Sequence, residues 1–147
     1  MKKLNKRVIG IAVISIIILF IYSYFNVKGK DIEGVSKISS DCSVSIVKSY
    51  HLDNNQKEYI LNAQQIDMLK NLILVSDFTR KLSSAVQFND KDRYEIKIDF
   101  NNSQDFLMID CIGNEYISVT NQFNGKHLKI NNSDWKATLE QIISLYD

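Results

Sequence analysis

Cys42, Cys111, His51 and His127 are the residues of this chain best suited to nucleophilic or metal chemistry. A zinc site draws its ligands from short spacings such as C-x-x-C or H-E-x-x-H, because one ion must be reached by several side chains at once. The four residues lie far apart and form no such motif, so the sequence calls for no metal and no cofactor. A Cys–His nucleophile pair needs only to meet in space. Cys111, however, alternates with Leu107 and Ile109 on the apolar side of a predicted strand, and a thiol in apolar surroundings stays protonated. Cys42 opens another strand on the side of Val44 and Ile46, His51 ends that strand, and His127 follows a tight turn. Both histidines read as surface residues. A Cys42–Cys111 disulfide is a further reading, because a site outside the cytoplasm is oxidising. Closing that loop of roughly 70 residues contributes about 4 kcal/mol by loop entropy. Two buried free thiols are the alternative.

Paired carboxylates are the other chemical candidates. Asp99 and Asp110 fall on neighbouring predicted strands and face the outer side of a sheet. Acid–base hydrolysis of a glycoside needs such a pair in a cleft. A flat sheet face interleaved with Lys97 favours cross-strand charge pairing instead. No G-x-S-x-G occurs, so the nucleophile-elbow signature is missing. The reading is therefore of a protein without a catalytic site, with a small Cys/His hydrolase of the cell envelope as the alternative.

The outer sheet face is the stronger candidate for binding. Strand alternation puts Phe106, Met108 and Tyr116 on it, rimmed by Lys97 and Lys129. An aromatic and methionine patch edged by charge suits a protein partner. The alternative is that residues 75–92 fold across it.

The elements that position these residues follow from periodicity. Residues 42–51 read as a strand, 53–56 as a turn, and 57–61 as its hairpin partner. Asn62 with Gln65 has the spacing of a capping box, and Ile66, Leu69, Leu72 and Ile73 follow at helical spacing, which predicts a helix over 63–74. Residues 93–131 hold four strands: Tyr94, Ile96, Ile98 and Phe100 alternate with charges, FLMIDCI follows, Ile117 and Val119 come next, and Asn124-Gly125 marks a tight hairpin before Leu128 and Ile130. Ser133 caps a last helix over 133–146, with Trp135, Leu139, Ile142 and Tyr146 on one stripe. The expected fold is α+β: a four-strand antiparallel meander plus an N-terminal hairpin, with two helices on one face.

The amino terminus has the plainest signal. Residues 8–25 hold no charge, and as a helix would span about 27 Å, near the ~30 Å hydrocarbon core. Lys2, Lys3, Lys6 and Arg7 precede them and favour a cytoplasmic amino terminus. No A-x-A pattern follows, which favours an uncleaved signal anchor over a cleaved signal peptide. The expected organisation is a basic stub over 1–7, a membrane span over 8–25, a solvated linker over 26–41 and an extracytoplasmic domain over 42–147. Of the 147 residues, 18 are basic and 17 acidic. Four of the 18 basic residues fall within the first seven positions, leaving 14 basic against 17 acidic beyond them, which disfavours a nucleic-acid binder. With no proline and five glycines, a Gly-rich phosphate loop is excluded.

A Lys-rich start, one signal anchor and one small α+β body, in a chain rich in Ile, Asn and Lys, resembles the small signal-anchored extracytoplasmic proteins of low-GC Gram-positive bacteria. That resemblance implies an immunity or accessory protein; a structural subunit of an envelope complex is a further alternative. The expected partners are membrane lipid, through the anchor, and a protein at the cell surface.

Overall fold

The computed structural model describes residues 6–50, 53–81, 92–101, 105–113, 115–121 and 125–145, with the side chains of 6, 7, 50 and 53–55 left aside. His51, Tyr146 and most of the segment 75–92 that was a candidate cover for the outer sheet face lie outside the described residues.

Helix α1 (Lys6–Phe25) contains the uncharged run Val8–Phe25, none of which is buried. It is the one helix among the described residues that is long and apolar enough to cross a membrane. Strand β1 (Asn26–Lys28) follows without a break and pairs antiparallel with β4 (Asp77–Arg80). Two 3-10 turns come next, Gly29–Asp31 and Val35–Lys37. Then come β2 (Ser43–Tyr50), β3 (Asp53–Ile60), α2 (Ala63–Val75) and β4. The chain closes with β5 (Arg93–Asp99), β6 (Phe106–Ile112), β7 (Tyr116–Asn121), β8 (Gly125–Ile130) and α3 (Trp135–Ser144).

The described strands form one antiparallel sheet of eight, in the order β1-β4-β8-β7-β6-β5-β2-β3. The meander over β5–β8 and the β2–β3 hairpin are therefore present, and the α+β class holds. Two strands beyond the six expected, β1 and β4, extend the sheet past β8, and three further details differ from the sequence reading. The hairpin turn falls earlier, because Asp53–Gln56 pair with β2 rather than turning the chain. Ser133 does not cap α3: Asp134 occupies that position, without a capping side-chain bond.

The third difference is the largest. Residues 26–41 are not a solvated linker. Ile32, Val35 and Ile38 are core residues, and the Gly29 amide donates to the Ser76 carbonyl at 2.8 Å. Helix α1 therefore runs directly into the body. Ile32 and Ile38 are extended residues that each follow a 3-10 turn and Val35 opens the second turn, so the two turns carry all three apolar side chains into the core, and their burial outweighs the polar composition around them.

Both α2 and α3 lie on one sheet face. The capping box is fully formed: the Gln65 amide donates to Asn62 Oδ1, and the Asn62 amide to Gln65 Oε1, each at 3.0 Å. Gln65 is itself buried and its Nε2 donates to the Ile142 carbonyl of α3 at 2.7 Å, so the cap also ties the helices together. The core fills the space below them with Val44, Ile46, Ile96, Ile98, Leu107, Ile109 and Trp135, all fully buried.

Candidate functional site

Strand register decides which expected site residues meet. Met108 lies directly opposite Lys97, and Asp99 opposite Phe106, so Phe106, Met108 and Lys97 form one group. Tyr116 lies opposite Lys129. Met108 pairs with Thr120, four residues from Tyr116, so the two groups are about 13 Å apart. Asp110 and Ser118 separate them. The continuous aromatic–methionine patch expected from alternation is therefore two patches: alternation fixes the face, whereas only register fixes the neighbours. Phe106, Met108 and Tyr116 are half-buried, and Lys97 and Lys129 are exposed. The ammonium of Lys81 sits 4.9 Å from the centre of the Tyr116 ring, a cation–π contact that partly covers it.

Charges on this face pair among themselves. Arg93 Nη2 donates to Asp110 at 2.8 Å and also approaches Glu95, while Lys97 meets Asp99 at 2.9 Å. Asp110 lies opposite Glu95, four residues along β5 from Asp99, which leaves the two aspartates about 13 Å apart. Each holds its own cation. The pairing reading stands, and the geometry supplies no acid–base dyad between them.

The thiols are separated more completely. Cys42 and Cys111 are both buried and free, so the disulfide reading is corrected. Cys42 precedes β2, whereas Cys111 lies level with Tyr94 and Lys48, two strands across and six residues along from Cys42. That offset is about 20 Å along the strands alone, far beyond the reach of an S–S bond. Cys111 and His127 occupy opposite faces, because Ser118, the partner of His127, is the neighbour of Ile117, the partner of Cys111. They cannot form a nucleophile pair.

Burial pushes the Cys111 thiol up to about 12, partly opposed by the nearby Trp135 indole. The unfolded chain releases that proton from about 9. The thiol thus contributes stability that is fully present below pH 9 and is lost as pH rises towards 12. Urea midpoints should fall by an amount equivalent to about 1 kcal/mol between pH 9 and 10 from this group, and Cys111→Ala should flatten that decline. An unchanged slope in the variant would contradict the assignment.

Where α3 crosses the sheet, a second polar cluster forms. Tyr94 Oη donates to Glu140 at 2.5 Å, and Lys48 Nζ donates to the same carboxylate at 3.3 Å. Desolvation, with Glu140 beside it, raises the Tyr94 phenol well above its ordinary range. The same hydrogen bond, helped by Lys48, lowers Glu140. This cluster pins α3 to β2 and β5.

The fold also assembles a cavity that the sequence did not disclose. A cleft of about 700 Å³ opens between the end of α2, the start of α3 and the ends of β4 and β8. Its apolar side is Met68, Leu72, Val75 and Ile142, and its polar side includes Asn71, Asp77, Asn131, Asn132, Asp134 and Thr138. Val75 is 72% exposed although it ends an otherwise core-facing helix. The rim is held in place: the Asp77 amide donates to Asn132 Oδ1 at 3.0 Å, and the Asn131 amide to the Asp77 carbonyl at 3.0 Å. The cleft lies within the size range of ligand sites and carries two acidic side chains and no basic one. Four separate segments line it, so no single stretch of sequence announces it. The polar run Asn131-Asn132-Ser133-Asp134 was its only local signal. Comparison of the chain with family models, curated proteins and solved structures returned no match.

Proposed function

We propose that this chain is a single-pass membrane protein whose folded body, outside the cytoplasm, binds a protein partner at the membrane surface. The reading extends the likeness to small anchored proteins of low-GC Gram-positive bacteria, of the immunity or accessory kind. Lys2, Lys3, Lys6 and Arg7, ahead of the uncharged run, support the orientation, because Lys and Arg resist translocation. The direct join of α1 to β1 supports a body held close to the bilayer, where tethering raises the rate of encounter with a membrane partner.

The observation that carries the binding role is the cleft. Its apolar floor and ordered acidic rim fit an apolar side chain flanked by basic or hydrogen-bond-donating groups. The Phe106–Met108–Lys97 group offers a smaller second contact. Neither the buried Cys111 nor His127 on the opposite face supports the hydrolase alternative.

Photo-crosslinking in native membranes tests this reading. A photoreactive residue at Asn71 should give one discrete higher-mass adduct, and one at exposed Glu58, on the far edge strand β3, should give none. An adduct from Met108 but not from Asn71 would move the site to the outer face. Equal labelling from Asn71 and Glu58, or none from Asn71 and Met108, would contradict a specific partner site.

A further inference from the structure

We propose that the junction of α1 with the sheet is a binding site for the phosphodiester of a membrane phospholipid, held by Arg80 and Lys126. The proposal rests on α1 being a membrane span.

A small pocket, about 160 Å³, lies where the last turn of α1 meets the sheet. Ser23 and Tyr24 line it from α1, Asn26 from β1, and Arg80 and Lys126 from β4 and β8. Its volume suits a headgroup fragment and falls below that of sites for whole drug-sized ligands.

Depth is the first argument. The uncharged run ends at Phe25, so a helix that spans the hydrocarbon places Ser23 and Tyr24 at its boundary. The phosphate layer begins there. A tyrosine at this level is itself typical of the interface.

Unmet bonding is the second. The Arg80 guanidinium stacks on Tyr24, with its central carbon 4.2 Å from the ring centre. Its Nε is buried and has no hydrogen-bond partner among the described residues. A buried donor on a charged group is costly to leave unmet, and a phosphate oxygen satisfies it through a charge-assisted bond. Lys126 is exposed and makes no ion pair among the described residues.

Charge is the third. Asp31 also lines the pocket. Against Arg80 and Lys126 it leaves one net positive charge, which matches the single negative charge of a phosphodiester. An anionic headgroup such as phosphatidylglycerol keeps that charge unopposed, whereas the choline of phosphatidylcholine adds a cation to a site that is already positive.

The test uses the full chain in nanodiscs of mixed phosphatidylglycerol and phosphatidylcholine, released and weighed by native mass spectrometry. Wild-type protein should retain one phosphatidylglycerol. Arg80→Gln should lower the retained fraction about tenfold, the equivalent of one charge-assisted hydrogen bond. Lys126→Gln, at an exposed position that the fold does not need, should lower it several-fold. Retention equal to wild type in both variants would overturn the site, as would inorganic phosphate binding Arg80 as tightly without lipid. Alkaline extraction of the same membranes separates the two failures. Wild-type protein that stays in the pellet yet retains no lipid overturns the site and leaves the anchor intact. Wild-type protein released to the supernatant removes the anchor, and the site with it.

Discussion

Trp135→Ala is expected to remove on the order of 3–5 kcal/mol from the stability of the body, a large share of the roughly 5–15 kcal/mol available to a domain of this size. The indole is fully buried at the start of α3. It packs edge-on against Phe78 of β4, with ring centres 5.8 Å apart, and lies beside the Cys111 thiol. It therefore joins α3 to the side of the sheet that receives α1. Its buried Nε1 meets the Cys111 thiol, a weak acceptor, so the truncation sacrifices packing and no strong polar bond. Trp135 is the only tryptophan, so its own emission reports the wild-type transition, and circular dichroism during urea unfolding compares both proteins. A loss below about 1 kcal/mol would contradict a core position.

Gly29→Ala should be nearly as damaging, although it adds only a methyl group. A Cβ at Gly29 would lie 1.6 Å from the Ile73 carbonyl oxygen and 2.6 Å from its carbon. Those are backbone atoms of the last turn of α2 and cannot swing aside. The first 3-10 turn must lift away, taking with it the Gly29–Ser76 hydrogen bond and the seating of Ile32. We expect a cost on the order of 3 kcal/mol, at the upper end of overpacking effects. Gly10→Ala is the control, because a Cβ there meets nothing within 4 Å. Equal urea midpoints for the two variants would show that residues 26–41 are a tether after all.

That segment shows where sequence reasoning stops. Strand alternation over 93–112 and the Asn62–Gln65 box were legible because each is a local pattern with one structural solution. Residues 26–41 were misread because glycine and mixed charge resemble a linker, whereas Ile32, Val35 and Ile38 fill the core. β1 has only three residues and owes its existence to β4, a partner some fifty positions away. No local period encodes such a pairing. The outer sheet face was legible as a face and illegible as a patch, because the offset between Met108 and Tyr116 depends on register. The cleft was illegible because its walls come from α2, β4, α3 and the segment after β8, and only the fold assembles them.

The proposed topology, with α1 as anchor and the folded body outside the cytoplasm, is open to a protease-accessibility measurement. Intact protoplasts carrying the full chain are treated with an external protease under conditions that leave a cytoplasmic marker untouched. The body should be lost, leaving a short membrane-retained fragment that contains α1. Full protection of the body until the cells are lysed would contradict it.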